Sequence, residues 1–174
     1  MGNARLDEFE LTDIIRLRGI VTEDFVNYKL PSMFLITCSC DWKCCREQSV
    51  DTSICQNESL CQQPIRTYDI ADIYKSYTSN DISQSIVFGG LEPFQQFDEI
   101  LSLIKYFRDN DCNDDIVIYT GFYEQEINAQ LEVLKQYKNI VVKFGRFILN
   151  QSHHIDTVLK VELASPNQYA ERIS

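Results

Sequence analysis

An α/β domain with a mostly parallel sheet, a partial barrel or an open sheet, is the fold class that this sequence predicts. Three observations carry the prediction. Short apolar runs of strand length alternate with amphipathic stretches of helical spacing, at intervals of about 30 residues beyond Pro64. The second and third central runs close on glycine-bearing turns, Gly89-Gly90 and Thr120-Gly121, as strands of βα units do. The length of 174 residues suits a single domain spanning 1–174 with a real core. It falls short of the roughly 250 residues of a complete eight-fold (β/α) barrel.

Taken in order, residues 14–21 supply a first edge strand. Residues 33–37 (Met-Phe-Leu-Ile-Thr) form a buried strand behind Pro31. The cysteine-rich segment 38–64 shows no sustained periodicity and reads as a long functional loop with room for a helical turn. Loops above about 15 residues are usually functional or disordered. Ile70, Ile73, Tyr74 and Tyr77 recur at helical spacing behind Asp69 as a cap. Residues 85–88 form the next strand, and Phe97, Ile100, Leu101, Ile104 and Phe107 mark a helix that stops near Asn110. A strand at 115–119 is followed by a helix carrying Ile127, Leu131, Leu134 and Tyr137, then by a strand at 140–144. Residues 158–163 add a strand before an irregular tail. In such sheets ligands sit at the carboxyl ends of the strands. The cysteines, Gly89-Gly90 and Tyr119-Thr120-Gly121 therefore collect on one edge.

Composition removes several function classes. There are 26 acidic and 16 basic residues, for a formal charge of −10, which opposes non-specific binding to nucleic acid or an anionic membrane. Six glycines, four prolines and 11% aromatics exclude a low-complexity or disordered chain. No apolar run approaches the roughly 20 residues that span a bilayer. The stretch 1–10 is polar and acidic, the reverse of a secretory signal, so a cytoplasmic protein is expected.

In that reducing compartment seven cysteines, an odd number, do not form a disulfide framework. Six of them, Cys38, Cys40, Cys44, Cys45, Cys55 and Cys61, fall within 24 residues, a crowding that points to metal or cluster ligation. Three thiolates from Cys40, Cys44 and Cys55 suit a cubane that leaves one iron without a protein ligand. A structural zinc site uses similar ligands, and spacing alone leaves both open.

The segment Cys40-Asp-Trp-Lys-Cys44, with Cys55-Gln56-Asn57 after it, resembles the cysteine loop of radical S-adenosylmethionine (SAM) enzymes. It is most similar to the activases of glycyl radical enzymes, whose third cysteine opens a Cys-x-Asn tripeptide. The family loop is C-x₃-C-x₂-C. Here Glu47 stands at the third position and an eight-residue insertion displaces the cysteine to 55, with Cys45 and Cys61 as the other candidates for third ligand. Phe88-Gly89-Gly90-Leu91-Glu92-Pro93 resembles the family's Gly-Gly-Glu-Pro segment with Leu91 inserted. Ile118-Tyr119-Thr120-Gly121-Phe122 with Glu124 and Glu126, Gly145-Arg146-Phe147, and Ser165-Pro166-Asn167-Gln168 resemble segments of the anaerobic ribonucleoside-triphosphate reductase activating proteins. Phe144 stands where that subgroup has Asp.

The resemblance implies a partial (β/α) barrel of radical SAM type. It implies a [4Fe–4S] cluster on Cys40, Cys44 and Cys55, and SAM held by Gly89, Gly90, Glu92 and Tyr119. The implied activity is reductive cleavage of SAM to place a glycyl radical on a partner enzyme, the anaerobic ribonucleotide reductase large subunit. The electron comes from a reduced donor such as flavodoxin or ferredoxin. The cofactors carry the chemistry, so no catalytic side-chain acid or base is expected. The alternatives are a radical SAM enzyme with another protein or small-molecule substrate, and a non-enzymatic zinc-stabilised interaction domain.

Other residues read as structural. His153-His154 lies in a polar loop. Cys112 is a small core or surface thiol. Trp42 shields the cluster, and Asp109, Asp111, Asp114 and Asp115 form a solvated acidic turn.

Overall fold

A computed structural model describes residues 6–174; the polar opening read over 1–10 therefore lies partly outside the described residues. In place of one edge strand at 14–21 there are two, β1 (Ile14–Leu17) and β2 (Gly19–Asp24), broken at Arg18. The break sends them to different sheets. After β3 (Ser32–Ile36) the cysteine segment contains a real helix, α1 (Lys43–Gln48), and two short 3-10 turns, so the insertion is ordered. A strand that sequence patterning misses, β4 (Arg66–Asp69), pairs antiparallel with β1. The helix α2 (Ile70–Thr78) follows at once. Asp69 occupies its cap position, but the side chain makes no capping hydrogen bond.

From there the alternation is as the periodicity predicts: β5 (Ser85–Gly89), α3 (Phe97–Asp109), β6 (Asp115–Tyr119), α4 (Asn128–Leu134) and β7 (Ile140–Phe144). The strand expected at 158–163 shrinks to β9 (Glu162–Leu163), a two-residue partner of β8 (His154–Ile155). The true last strand is β10 (Tyr169–Arg172), within the stretch expected to be an irregular tail.

The main sheet has six strands in the order β10-β7-β6-β5-β3-β2. The four central strands are parallel and each edge strand is antiparallel to its neighbour. The sheet does not close, and it is the largely parallel, partial-barrel arrangement of a mixed α/β domain. Its central strands progress in one direction without reversal. Crossovers of one hand then put the helices on one face. Ile86, Phe88, Ile116, Ile118, Ile140, Val142 and Phe144 meet Ile73, Tyr77, Ile100, Leu101, Ile104, Phe107 and Leu131 there. Burying each large apolar side chain of this set contributes roughly 1.5–3 kcal/mol. The alternate strand residues Val87, Val117 and Val141 form the other face, which Tyr28, Leu30, Val158, Leu159 and Leu163 cover. Among the described residues no helix is long and apolar enough to cross a membrane.

The acidic turn is more tied down than its composition suggests. Asp115 pairs with Arg172 at 2.8 Å and accepts from Tyr28 Oη at 2.7 Å, and Asp114 accepts from Tyr77 Oη at 2.6 Å. Asp109 pairs with Lys105 at 2.5 Å near the surface. Cys112 is partly buried against the main core. His153 is exposed and lies 2.8 Å from Glu162, and the half-buried His154 sits in β8.

Candidate functional site

The carboxyl ends of β3, β5, β6 and β7 are knitted together before any side chain is considered for chemistry. Thr37, after β3, gives both its N–H and its hydroxyl to the Gly89 carbonyl, each at 3.0 Å. The Cys38 amide donates to Gln96 Oε1 at 2.6 Å, and the Glu92 amide to the Ser39 carbonyl at 2.8 Å. Glu92 turns its carboxylate inward, where it accepts from Thr120 Oγ1 at 2.7 Å, the Gly121 amide at 2.9 Å and the Phe94 amide at 3.1 Å. Three loops are thus joined through one buried acid. Burial pushes its carboxyl above the usual range, against the opposing pull of those donors and of Lys143.

All seven cysteines are free thiols. Cys40 is half-buried, and its sulfur accepts from the Trp42 amide at 3.3 Å. Trp42 itself starts α1 in the left-handed region, at φ 58°. Cys44 lies on α1, with its sulfur 3.9 Å from that of the buried Cys45. Cys55 closes the next 3-10 turn. Cys44 stands within electrostatic reach of both Cys40 and Cys55, and Cys61 within reach of Cys55. Burial pushes the Cys40 thiol up to about 12 and the Cys44 thiol up to about 11, and it raises Cys55. Among the described residues no three Cys, His, Asp or Glu side chains stand close enough to hold a single metal ion.

Several residues that patterning does not single out fasten this loop. Arg18 donates from Nε to the Cys38 carbonyl at 2.6 Å and from Nη1 to the Cys61 carbonyl at 2.7 Å, pinning both ends of the segment. On the other side α1 is fixed to the loops after β6 and β7. Lys43 pairs with Glu126, and Glu47 with Arg146 at 2.7 Å. Gln48 donates to the Phe147 carbonyl and accepts from the Leu149 amide, both at 2.8 Å. In the sequence Arg146 is only the middle of Gly-Arg-Phe; the partners that make it a clasp lie 20 positions away at Glu126 and 99 positions away at Glu47.

The glycines and Tyr119 lie at the same edge. Gly89 packs so that a Cβ would stand 3.2 Å from the Phe34 ring and 3.4 Å from Tyr119 Cβ. Gly90 adopts φ +83°, and a Cβ there would lie 2.8 Å from Ile36 Cγ2 and 3.1 Å from Leu60 Cδ1, so only glycine fits. Leu60 belongs to the cysteine segment, which therefore folds back over this turn. Both lone pairs of the Gly89 carbonyl are taken by Thr37, whereas the Gly90 carbonyl accepts no hydrogen bond among the described residues. Tyr119 donates from Oη to the Asn27 carbonyl at 2.6 Å, and burial raises its phenol.

Residues 30–168 match the family described as the 4Fe-4S single cluster domain. The chain belongs to that family. No curated protein matches it. The matched span of the 4Fe-4S single cluster domain covers every cysteine, both glycines, Glu92 and Tyr119, and the family supports a cluster-binding, redox role for this chain. The donor set suits such a group. Thiolates are the protein ligands of iron–sulfur clusters, and a cubane takes each thiolate on a different iron, a wider spacing than one ion requires. Cys44 flanked by Cys40 and Cys55, with an amide already directed at the Cys40 sulfur, is chemistry of that kind.

Proposed function

We propose that this chain is a radical SAM activase, a partial barrel of radical SAM type. In this reading Cys40, Cys44 and Cys55 hold a [4Fe–4S] cluster, and the target is a glycine of a partner enzyme, an anaerobic ribonucleoside-triphosphate reductase. One observation carries the reading: the cysteine segment, the Gly89-Gly90 turn, Glu92 and Tyr119 meet at one edge of an open, largely parallel sheet. Held by Cys40, Cys44 and Cys55, the cluster would supply the electron for reductive cleavage of the SAM sulfonium, and that chemistry would be directed at the glycine backbone of the partner.

The chain's own groups bind, orient and shield. The unbonded Gly90 carbonyl is the acceptor suited to the amino group of SAM, and Glu92 holds the turn that presents it. Tyr119 lines the pocket wall. Trp42 and Leu60 cover the loop and limit water. Flavodoxin or ferredoxin delivers the electron in a reducing, cytoplasmic setting.

A different radical SAM target is the second reading, favoured by one observation. The insertion orders as the end of α1 and one 3-10 turn, and the turn after Cys55 sets Leu60 against Gly90, which reshapes the rim that a partner meets.

The test is anaerobic reconstitution with iron and sulfide, reduction with dithionite in the presence of SAM, and assay of 5′-deoxyadenosine. Product from the wild type and none from Cys40→Ala or Cys55→Ala supports the activase. Stoichiometric zinc with no cluster overturns it and leaves a zinc-stabilised interaction domain. Co-purification with a glycyl radical protein separates the first target from the second.

A further inference from the structure

One charged side chain at this edge is unused by the reading above. Lys143 lies on β7 in register with Tyr119 of β6, on the face opposite the helices, where the neighbouring positions are Val87, Val117 and Val141. It is 6% exposed, and its ammonium lies 6.0 Å from the centre of the Tyr119 ring. An ammonium has three protons to place. Lys143 gives one to the Gly145 carbonyl at 3.0 Å and a long one to the Thr120 carbonyl at 3.5 Å. Among the described residues the third has no acceptor, and Lys143 forms no contact ion pair.

Glu92 is near enough to feel this charge, yet its oxygens are engaged by Thr120, Gly121 and Phe94. A buried cation without a partner is costly to keep unless something anionic comes to it. Cys44 is the other acidic group within its electrostatic reach. The geometry agrees, because α1 is anchored to the loops that follow β6 and β7, immediately beyond Thr120 and Lys143.

We propose that Lys143 is the fixed counter-charge of the cluster held through Cys44, and that it raises the cluster's reduction potential. The proposal rests on the cluster-binding reading. Three thiolates outweigh the positive charge of an iron–sulfide core, and reduction adds one more negative charge. A cation held in a low-dielectric site therefore stabilises the reduced form more than the oxidised one. The charge does this from a fixed position and needs no rearrangement when the electron arrives.

The experiment is a redox titration of the reconstituted full chain, followed by electron paramagnetic resonance, with iron and sulfide content measured on every sample. Lys143→Met removes the charge at similar size, and the expected result is an at least tenfold lower equilibrium constant for cluster reduction, a shift of 59 mV for one electron. Lys143→Arg keeps the charge and is expected to stay within threefold of the wild type. A Lys143→Met protein with full iron content that titrates like the wild type overturns the proposal. So does a Lys143→Arg protein that falls as far as Lys143→Met, because that result assigns Lys143 a packing role. If Lys143→Met fails to fold, Glu92→Gln/Lys143→Met against Glu92→Gln alone isolates the same charge without leaving an acid unpaired, and equal potentials in that pair overturn it. A wild type that takes up no iron sinks the cluster reading itself, a failure distinct from an unchanged potential.

Discussion

Arg146 holds Glu126 through two nitrogens, Nη1 at 2.7 Å and Nη2 at 2.5 Å, while its Nε lies 2.7 Å from Glu47 on α1. The guanidinium is buried and stacks over the Tyr123 ring at 4.9 Å. One side chain therefore couples the loop after β6, the loop after β7 and the helix that bears Cys44. Bidentate geometry of this kind is specific to arginine.

Arg146→Ala is expected to lower unfolding free energy by about 2 kcal/mol, from lost charge-assisted bonds in a partly screened site. Urea denaturation measures it. Arg146→Lys should recover less than half of the loss, because a lysine cannot reach both acids.

The same pair gives a pH dependence. Hydrogen bonding from Arg146 holds the Glu126 carboxyl down at about 2, against an ordinary 4.5. A carboxyl depressed in the folded state contributes stability that is complete above its unfolded value and is lost as pH falls toward the folded one. Wild-type stability should thus decline between about pH 5 and about pH 2, and Arg146→Ala should decline less steeply over that window. Denaturant midpoints across that range decide it; parallel curves would reject the assignment.

Glu92 receives three donors and should be hard to replace. Glu92→Ala leaves the Thr120 hydroxyl and the Gly121 and Phe94 amides without their acceptor, for a loss of about 3 kcal/mol. Glu92→Gln keeps one oxygen acceptor and should lose less. Thermal melting of the two variants ranks them.

Gly90→Ala forces a Cβ against Ile36 in a left-handed backbone, and a destabilisation of about 2 kcal/mol is expected. Gly89→Ala meets contacts no closer than 3.2 Å at ordinary φ and should be milder.

Iron content discriminates the thiols. Cys40→Ala, Cys44→Ala and Cys55→Ala should each lose the reconstituted cluster, while Cys45→Ala, Cys61→Ala and Cys112→Ala keep it. Cys45 is 2% exposed. Retention of full iron by Cys55→Ala together with loss in Cys61→Ala would move the third ligand.

The central strands were readable because their residues announce burial on both faces: Ser-Ile-Val-Phe, Asp-Ile-Val-Ile-Tyr and Ile-Val-Val-Lys-Phe are nearly continuous apolar runs. The edge strands were not. β4 reads Arg-Thr-Tyr-Asp, with none of its four residues buried, and β10 reads Tyr-Ala-Glu-Arg, with only Ala170 buried, so neither shows an apolar run. Their partners are distant in sequence, and only pairing makes them strands. Residues 158–163 mislead for the opposite reason: Val158, Leu159 and Val161 pack against the sheet as a covering loop, so their apolarity reflects burial, and only Glu162 and Leu163 pair, in the two-residue β9. At the site, cysteines and glycines were legible because residue type itself carries their chemistry. Lys143 was not, since a lone lysine near a strand end looks like a residue facing water. Register alone turns it toward Tyr119. Arg18 carries no signal at all in the sequence, for its role consists of three carbonyls that other segments bring to it.

The anchoring of α1 also sets a timetable. Gln48 finds its partners 99 and 101 positions later in the chain, at Phe147 and Leu149. During synthesis the crowded thiols leave the ribosome long before the strand and loops that will hold them exist. They must be kept reduced through that interval, and a peptide cut to the cysteine segment would lack its seat. Any group that these thiols hold would find its seat complete only once residues 147–149 have been made.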